Sequence, residues 1–115
     1  MAKRLPKGPE GGKWEFPGGK IEPGEDPRRC MQRELQEELG IEVEVGAVLD
    51  VVSTIKGLRH IIIIYFECRI GGGELTAIEC QDFRWVLPAE IDELDKPESD
   101  TKFWSAWKRV KRLAE

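Results

Sequence analysis

A glycine-containing loop that leads into one strongly marked helix is the feature that most constrains what this chain can fold into. Asp26 is a good N-cap, and Pro27 suits the first helical position, where a missing N–H costs nothing. Gly40 suits a left-handed C-terminal cap, so the sequence predicts a helix from Pro27 to Leu39. An apolar stripe at helical spacing would anchor this helix to a core: Met31, Leu35 and Leu39.

Three carboxylates share another face of the predicted helix. Glu34, Glu37 and Glu38 are spaced i, i+3 and i+4, where each pair of like charges costs an isolated helix roughly 0.2–0.5 kcal/mol. A hard divalent cation such as Mg²⁺ or Mn²⁺ would remove that cost, because such ions prefer oxygen ligands. Arg33 adds a guanidinium that can orient a carboxylate by a bidentate contact. Helix composition alone leaves a second interpretation open, which is a solvated acidic face.

Length and composition restrict the class of protein. The chain has 115 residues, 40% hydrophobic and 35% charged, which predicts one soluble globular domain covering residues 1–115. The formal net charge of −4 argues against a surface that coats a nucleic acid polymer. Cys30, Cys68 and Cys80 are scattered and form no metal-binding pair or disulfide framework, so we expect a reducing cytoplasm. No signal peptide or membrane-spanning segment is predicted, and we expect no membrane partner.

Periodicity predicts strands on both sides of the helix and a second helix at the C-terminus. The predicted strands are Ala2–Leu5, Val43–Ile55, His60–Ile70 and Phe83–Leu87. We expect Gly71–Gly73 to end the fourth strand, and we expect Ile61–Ile64, which is apolar on both faces, to lie centrally in a sheet. A helical turn is predicted within residues 88–94, and a terminal helix is predicted at Thr101–Ala114 with an apolar face of Phe103, Trp107 and Val110.

The loop and helix together resemble the signature of the Nudix hydrolases. The matching residues are Gly19, Glu25, Arg33-Glu34-Leu35, Glu37-Glu38 and Gly40-Ile41, at the signature's spacing. The resemblance implies an α+β protein with the Nudix fold, an α/β/α sandwich built around a mixed β-sheet. It also implies hydrolysis of a phosphoric anhydride with Mg²⁺ or Mn²⁺ as cofactor. Periodicity by itself supports only a mixture of helices and strands.

Further segments are similar to the MutT-like branch of that family. They are Trp14–Glu22, Arg59-His60, Glu79–Gln81, Phe83–Val86 and Leu94–Asp100. This branch implies a nucleoside triphosphate pyrophosphohydrolase that releases the monophosphate and pyrophosphate, acting on oxidised or non-standard nucleotides such as 8-oxo-dGTP. Two alternatives stay open: a Nudix hydrolase of ADP-ribose or a dinucleoside polyphosphate, and a truncated, non-catalytic nucleotide-binding module.

The resemblance also implies roles for individual residues. It implies that Glu34 is the general base, assisted by Arg33, and that Glu25 supports these side chains. The implied metal ligands are the Gly18 carbonyl, Glu34, Glu37, Glu38 and Glu79. The implied substrate-binding residues are Arg4, Phe16, Arg59 and Asp100, with Asp100 reading the base edge.

Plainer interpretations of several of these residues remain. Glu79 could be a solvated carboxylate, and Arg4 and Arg59 could be surface cations. Phe16 could be a core aromatic, and Asp100 could be the N-cap of a helix that begins at Thr101. The only histidine, His60, is expected to be structural.

The family's first strand is expected ahead of Arg4, and the sequence given has only three residues there. We therefore expect an N-terminally shortened fold that lacks this strand. Unpaired strand edges template association, so the expected consequence is either low stability or pairing with a second copy as a homodimer.

Overall fold

The computed structural model describes the backbone of residues 1–114 and the side chains through Lys111. The elements, in chain order, are β1 (Ala2–Lys3), β2 (Trp14–Glu15), α1 (Pro27–Leu39), β3 (Ile41–Lys56), β4 (Arg59–Gly73), β5 (Asp82–Phe83), α2 (Pro88–Ile91) and α3 (Glu98–Ala114). This is the α+β arrangement expected of a Nudix protein, and α1 has the predicted bounds.

The strands form two antiparallel sheets. In the first sheet β1 lies between β2 and β5, and in the second β3 pairs with β4 as one long hairpin around the turn at Gly57-Leu58. Every strand pair recorded within residues 1–114 is antiparallel. The single mixed sheet expected from the resemblance is therefore present as two antiparallel sheets.

Helix α1 is held by the contacts that its sequence predicts. The Asp26 side chain accepts a hydrogen bond from the Arg28 N–H, and Gly40 ends the helix in the left-handed region at φ 70°. Leu35 and Leu39 are each only 5% exposed and pack with Ile41 and neighbours from β1 and β3. The loop before Cys80 closes the other end, because the Ile78 and Glu79 N–H groups donate to the Glu38 carbonyl.

Two predictions about β4 are wrong. Gly71–Gly73 does not end the strand, because β4 continues through Gly73 opposite Ile41. Gly73 lies at φ 82°, and a Cβ there would collide with the Gly40 carbonyl, so glycine permits this close backbone approach. Ile61–Ile64 is not central in a sheet, because β4 pairs only with β3 and the outward-facing Ile62 is 61% exposed.

The C-terminal helix begins earlier than the sequence predicts. α3 starts at Glu98 rather than Thr101, so the polar segment before it is shorter. Phe103 is buried against Val52 and Tyr65 from the long hairpin, and Trp104 donates its indole N–H to Asp92 at 2.8 Å. Val110 was expected on the apolar face but is 55% exposed. The predicted strand Phe83–Leu87 is reduced to the two residues of β5.

No helix in the described part of the chain is long and apolar enough to cross a membrane. All three cysteines are free thiols.

Candidate active site

The signature loop lies directly against the acidic face of α1. A Cβ placed on Gly19 would overlap the Glu34 carboxyl group, whereas one on Gly18 would meet only the Met31 side chain at 3.7 Å. Glycine at position 19 therefore leaves the space that the Glu34 carboxylate occupies. The loop and the helix form a cradle at this point, which neither element forms alone.

Arg33 links this loop to the carboxylates of the helix. Its guanidinium makes a bidentate contact with Glu25, with Nε to Oε2 at 2.7 Å and Nη2 to Oε1 at 3.0 Å. Nη1 also donates to Glu34 at 2.9 Å and Glu37 at 3.1 Å, and Nη2 donates to the Lys20 carbonyl at 3.1 Å. Hydrogen bonding from Arg33 lowers the pKa of Glu25 to about 2. Glu25 thus contacts the helix through Arg33, and its supporting role stays a prediction.

Arg33→Lys should lower kcat/KM by roughly 10- to 100-fold, because a lysine ammonium cannot reproduce the forked contact that orders these side chains. It should also reduce stability selectively above pH 4.5. The depressed pKa of Glu25 contributes stability that is present above its unfolded value of 4.5 and is lost as pH falls towards 2. Melting temperatures from pH 3 to 7 and steady-state kinetics would measure both effects. Arg29→Lys, an exposed position on the same helix, is the matched control, and equal behaviour of the two variants would contradict the assignment.

Glu38 is the carboxyl group of the site whose pKa is raised furthest by its surroundings. Burial, followed by the charges of Glu15, Glu34 and Glu79, raises its pKa to about 8, against a weaker backbone hydrogen bond from Gly18. Two of these neighbours come from outside α1: Glu15 lies on β2 and Glu79 lies in the loop before Cys80. Carboxylates that repel one another in this way are stabilised by a bound cation.

The chemistry of these donors fits a hard divalent cation, because every side-chain donor is a carboxylate oxygen. The side chains are not already closed around an ion: within residues 1–114, no group of three or more His, Cys, Asp or Glu is close enough to hold one as it stands. Arg33 engages Glu34 and Glu37 instead.

Asp100 is not a helix N-cap, because it lies inside the first turn of α3. It is 5% exposed, and both of its oxygens are bonded within the fold. The Tyr65 hydroxyl donates to Oδ1 at 2.5 Å, and the Phe16 N–H donates to Oδ2 at 3.3 Å. Burial raises the pKa of Asp100 to about 6, with the two hydrogen bonds opposing that rise. Base reading by Asp100 stays a prediction.

An aromatic cluster surrounds this carboxylate. The Tyr65 and Phe103 rings stack at 4.1 Å, and the Phe16 ring meets both edge-on at 6.0 and 5.2 Å. Tyr65 was not predicted as a site residue. Tyr65 is the only tyrosine in the chain and lies within a predicted apolar strand, and this isolated hydroxyl was the signal that could have marked it.

Glu15 is the second residue that sequence reasoning missed. It forms an ion pair with Arg4, at 2.9 Å between Oε2 and Nη1, and burial raises its pKa. The Glu15 charge raises the pKa of both Glu38 and Asp100. Arg4 pairs with Glu15, and its charge lowers the pKa of Asp100.

The remaining predicted residues divide into two groups. Glu79 is near the cluster, since its charge raises the pKa of Glu38, yet its own side chain is exposed. Arg59 is an exposed residue at the start of β4, six residues from Tyr65 and on the same strand face. His60 lies on the opposite face, where its Nε2 contacts Ser53 Oγ at 2.5 Å, in agreement with a structural role.

Comparison with known proteins decides the family. The NUDIX domain model matches residues 1–107. The chain belongs to the NUDIX domain family. It is similar to an 8-oxo-dGTP diphosphatase of Proteus vulgaris, with 45% identity over 76 residues that cover 66% of this chain and 68% of the relative. It is also similar to a CTP pyrophosphohydrolase of Escherichia coli, with 38% identity over 90 residues that cover 78% and 67% of the two chains.

A solved structure has the same fold. The MutT protein of Methanosarcina mazei superimposes with a TM-score of 0.83 at 25% identity, over 96% of this chain and 82% of that one. The Nudix chain thus falls in the MutT-like branch, and its enzyme class is that of the Nudix hydrolases. In four curated relatives, the region that matches this chain covers 54–68% of the relative's own length.

Proposed function

We propose that this Nudix chain is a divalent-cation-dependent nucleoside triphosphate pyrophosphohydrolase that releases a nucleoside monophosphate and pyrophosphate. The observation that carries the proposal is the group of carboxylates around Glu38, set beside the Gly19 cradle. Oxygen donors in mutual repulsion suit a cation that also binds an anionic phosphate chain. The name of the Proteus vulgaris relative supports an oxidised nucleotide, 8-oxo-dGTP, as the first candidate substrate, and the name of the Escherichia coli relative adds CTP as a second.

The residues proposed to hold Mg²⁺ or Mn²⁺ are Glu34, Glu37, Glu38, Glu79 and the Gly18 carbonyl. When bound, the ion would lower the pKa of a water molecule and neutralise charge on the triphosphate oxygens. Glu34 accepts the proton from the attacking water in this proposal, and Gly19 leaves room for its carboxylate. Arg33 orients Glu34 and Glu37, and Glu25 holds Arg33 in place.

The residues proposed to contact the substrate are Arg4, Phe16 and Arg59. Arg4 would neutralise phosphate charge if its pair with Glu15 opens, and the Phe16 ring offers an apolar surface for a base. Arg59 is proposed as a second cation from the end of β4. Asp100 is proposed either to read the base edge or to hold the Phe16 backbone, and these two roles compete.

Pyrophosphate release from a nucleotide panel tests the proposal. We expect turnover of at least one nucleoside triphosphate with Mg²⁺ or Mn²⁺, monophosphate and pyrophosphate as the only products, and no turnover in excess chelator. The panel should include 8-oxo-dGTP, dGTP, CTP, ADP-ribose and a dinucleoside polyphosphate. Turnover confined to the last two would favour the alternative substrate class. Nucleotide binding without hydrolysis of any compound would favour a non-catalytic module.

The cellular setting and assembly also remain proposals. Three free thiols are consistent with a reducing cytoplasm. An isolated two-stranded hairpin is marginally stable in water, and β3–β4 exposes Val51, Ile55 and Ile62 on its outer face. Sedimentation velocity would decide whether a second copy covers this face, because a monodisperse, highly stable monomer would contradict the homodimer.

A further inference from the structure

Asp100 joins three segments that are far apart in the sequence. Its carboxylate lies on the first turn of α3, accepts the Tyr65 hydroxyl from β4, and accepts the Phe16 N–H from the end of β2. The two partners are 35 and 84 residues away. No other described hydrogen bond ties α3 to the segment that leads into the signature loop.

The Phe16 end of this connection is next to the cradle. The proline ring fixes the backbone φ angle of Pro17, so the chain from Phe16 to Gly18 has little conformational freedom. The Gly18 backbone lies near enough to Glu38 to lower the pKa of that carboxyl group, and Gly19 is the residue whose missing Cβ leaves room for the Glu34 carboxylate. A displacement of the Phe16 backbone therefore moves the surface against which Glu34 and Glu38 sit.

The Tyr65 end of the connection is rigid. The Tyr65 ring is buried and stacked on Phe103, and its hydroxyl donates to Asp100 Oδ1 at 2.5 Å. A hydrogen bond to a carboxylate is stronger than one between neutral groups, so Tyr65 orients the Asp100 side chain. Arg4 and Glu15 are the other charged groups that influence Asp100.

We propose that Asp100 and Tyr65 are positioning residues, which hold the Phe16 backbone so that the signature loop keeps its metal-binding geometry. The proposal rests on the proposed function, because it takes Gly18, Glu34 and Glu38 as parts of the metal site. It assigns Asp100 an action through the loop rather than through contact with the base. Its almost complete burial and the use of both oxygens agree with that assignment.

Asp100→Asn is the sharpest test of the connection. The neutral amide removes the negative charge that strengthens both hydrogen bonds, and it offers one acceptor oxygen in place of two, so the connection between Tyr65 and Phe16 weakens. We expect Mn²⁺ affinity, measured by electron paramagnetic resonance without nucleotide, to fall about tenfold. We also expect kcat to fall at least about tenfold by the same factor for every nucleotide, with KM changed less than twofold.

Tyr65→Phe should produce a smaller loss of the same kind, about threefold in Mn²⁺ affinity, because the Phe16 bond remains but the carboxylate is free to turn. The double variant Tyr65→Phe/Asp100→Asn should be no worse than Asp100→Asn alone, since both act through one connection. Tyrosine absorbance gives a direct signal, because Tyr65 is the only tyrosine in the chain. Its ionisation should occur at lower pH in Asp100→Ala.

Ser99→Ala is the matched control. Ser99 is buried on the same turn of α3 and contacts Thr54 of β3 at 3.3 Å, without touching the loop. It should lower the melting temperature but leave Mn²⁺ affinity and kcat unchanged. If Asp100→Asn behaves like Ser99→Ala, or changes the ranking of nucleotides without changing Mn²⁺ affinity, the proposal is overturned. Failure of the wild-type protein to bind Mn²⁺ or to hydrolyse any nucleotide would refute the proposed function itself.

Discussion

Glu38→Gln should abolish hydrolysis and at the same time stabilise the metal-free protein. We expect kcat/KM to fall at least about 100-fold, because the variant lacks the charged carboxylate that we propose as a ligand of the cation. Loss of activity alone would not separate this role from unfolding. The opposite sign of the stability change separates the two.

The sign of the stability change follows from the pKa. The folded-state value for Glu38 is raised to about 8 from an ordinary 4.5, so the folded protein binds the extra proton between those values. Stability of the metal-free wild type should therefore fall as pH rises from about 4.5 to 8. The full shift corresponds to ~5 kcal/mol, and partial exposure of the side chain reduces our expectation to about 1–3 kcal/mol.

Thermal melts in chelator at pH 8.5 would measure this effect. Glu38→Gln should melt several degrees above the wild type, at roughly 3–6 °C per kcal/mol for a domain of this size. Added Mg²⁺ should raise the melting temperature of the wild type but not that of the variant. Glu44→Gln, an exposed carboxylate on β3, should change neither quantity. Wild-type turnover by Glu38→Gln, or a variant less stable than the wild type in chelator, would contradict the site.

Gly19→Ala should have an equally large effect on activity with little effect on stability. Gly19 does not lie at positive φ, so alanine is sterically allowed by the backbone. The new methyl group would occupy the position of the Glu34 carboxyl group, which must then move. Because that group is the end of a flexible side chain, we expect less than about 1 kcal/mol of destabilisation.

The catalytic cost should be much larger, since small displacements of a catalytic group can cost about 100-fold in rate. Steady-state kinetics with the preferred nucleotide should show kcat reduced by about that factor, with a melting temperature close to that of the wild type. Gly71→Ala is the control, because its Cβ would meet only the Glu42 carbonyl at 3.9 Å, far from α1's acidic face. If both variants keep full activity, Glu34 does not act from the position seen here.

The sequence by itself determined the helix, its acidic face and the family. Asp26, Pro27 and Gly40 act over one or two turns, so the bounds of α1 could be read from local chemistry. The spacing of Glu34, Glu37 and Glu38 is likewise a property of any helix, and the signature around them is defined entirely by spacing. These inferences needed no information about which distant segments meet.

Only the tertiary structure decided which carboxyl group has a strongly raised pKa and which distant residues bond to the segment before the signature loop. Glu15 and Glu79 approach Glu38 from β2 and from the loop before Cys80, and Asp100 joins Tyr65 to Phe16. The bounds of β4 and α3 were misjudged for the same reason. A glycine run continues a strand where another backbone approaches, and a helix begins early where its first turn is bonded to other segments. Such contacts depend on chain topology, which local spacing does not contain.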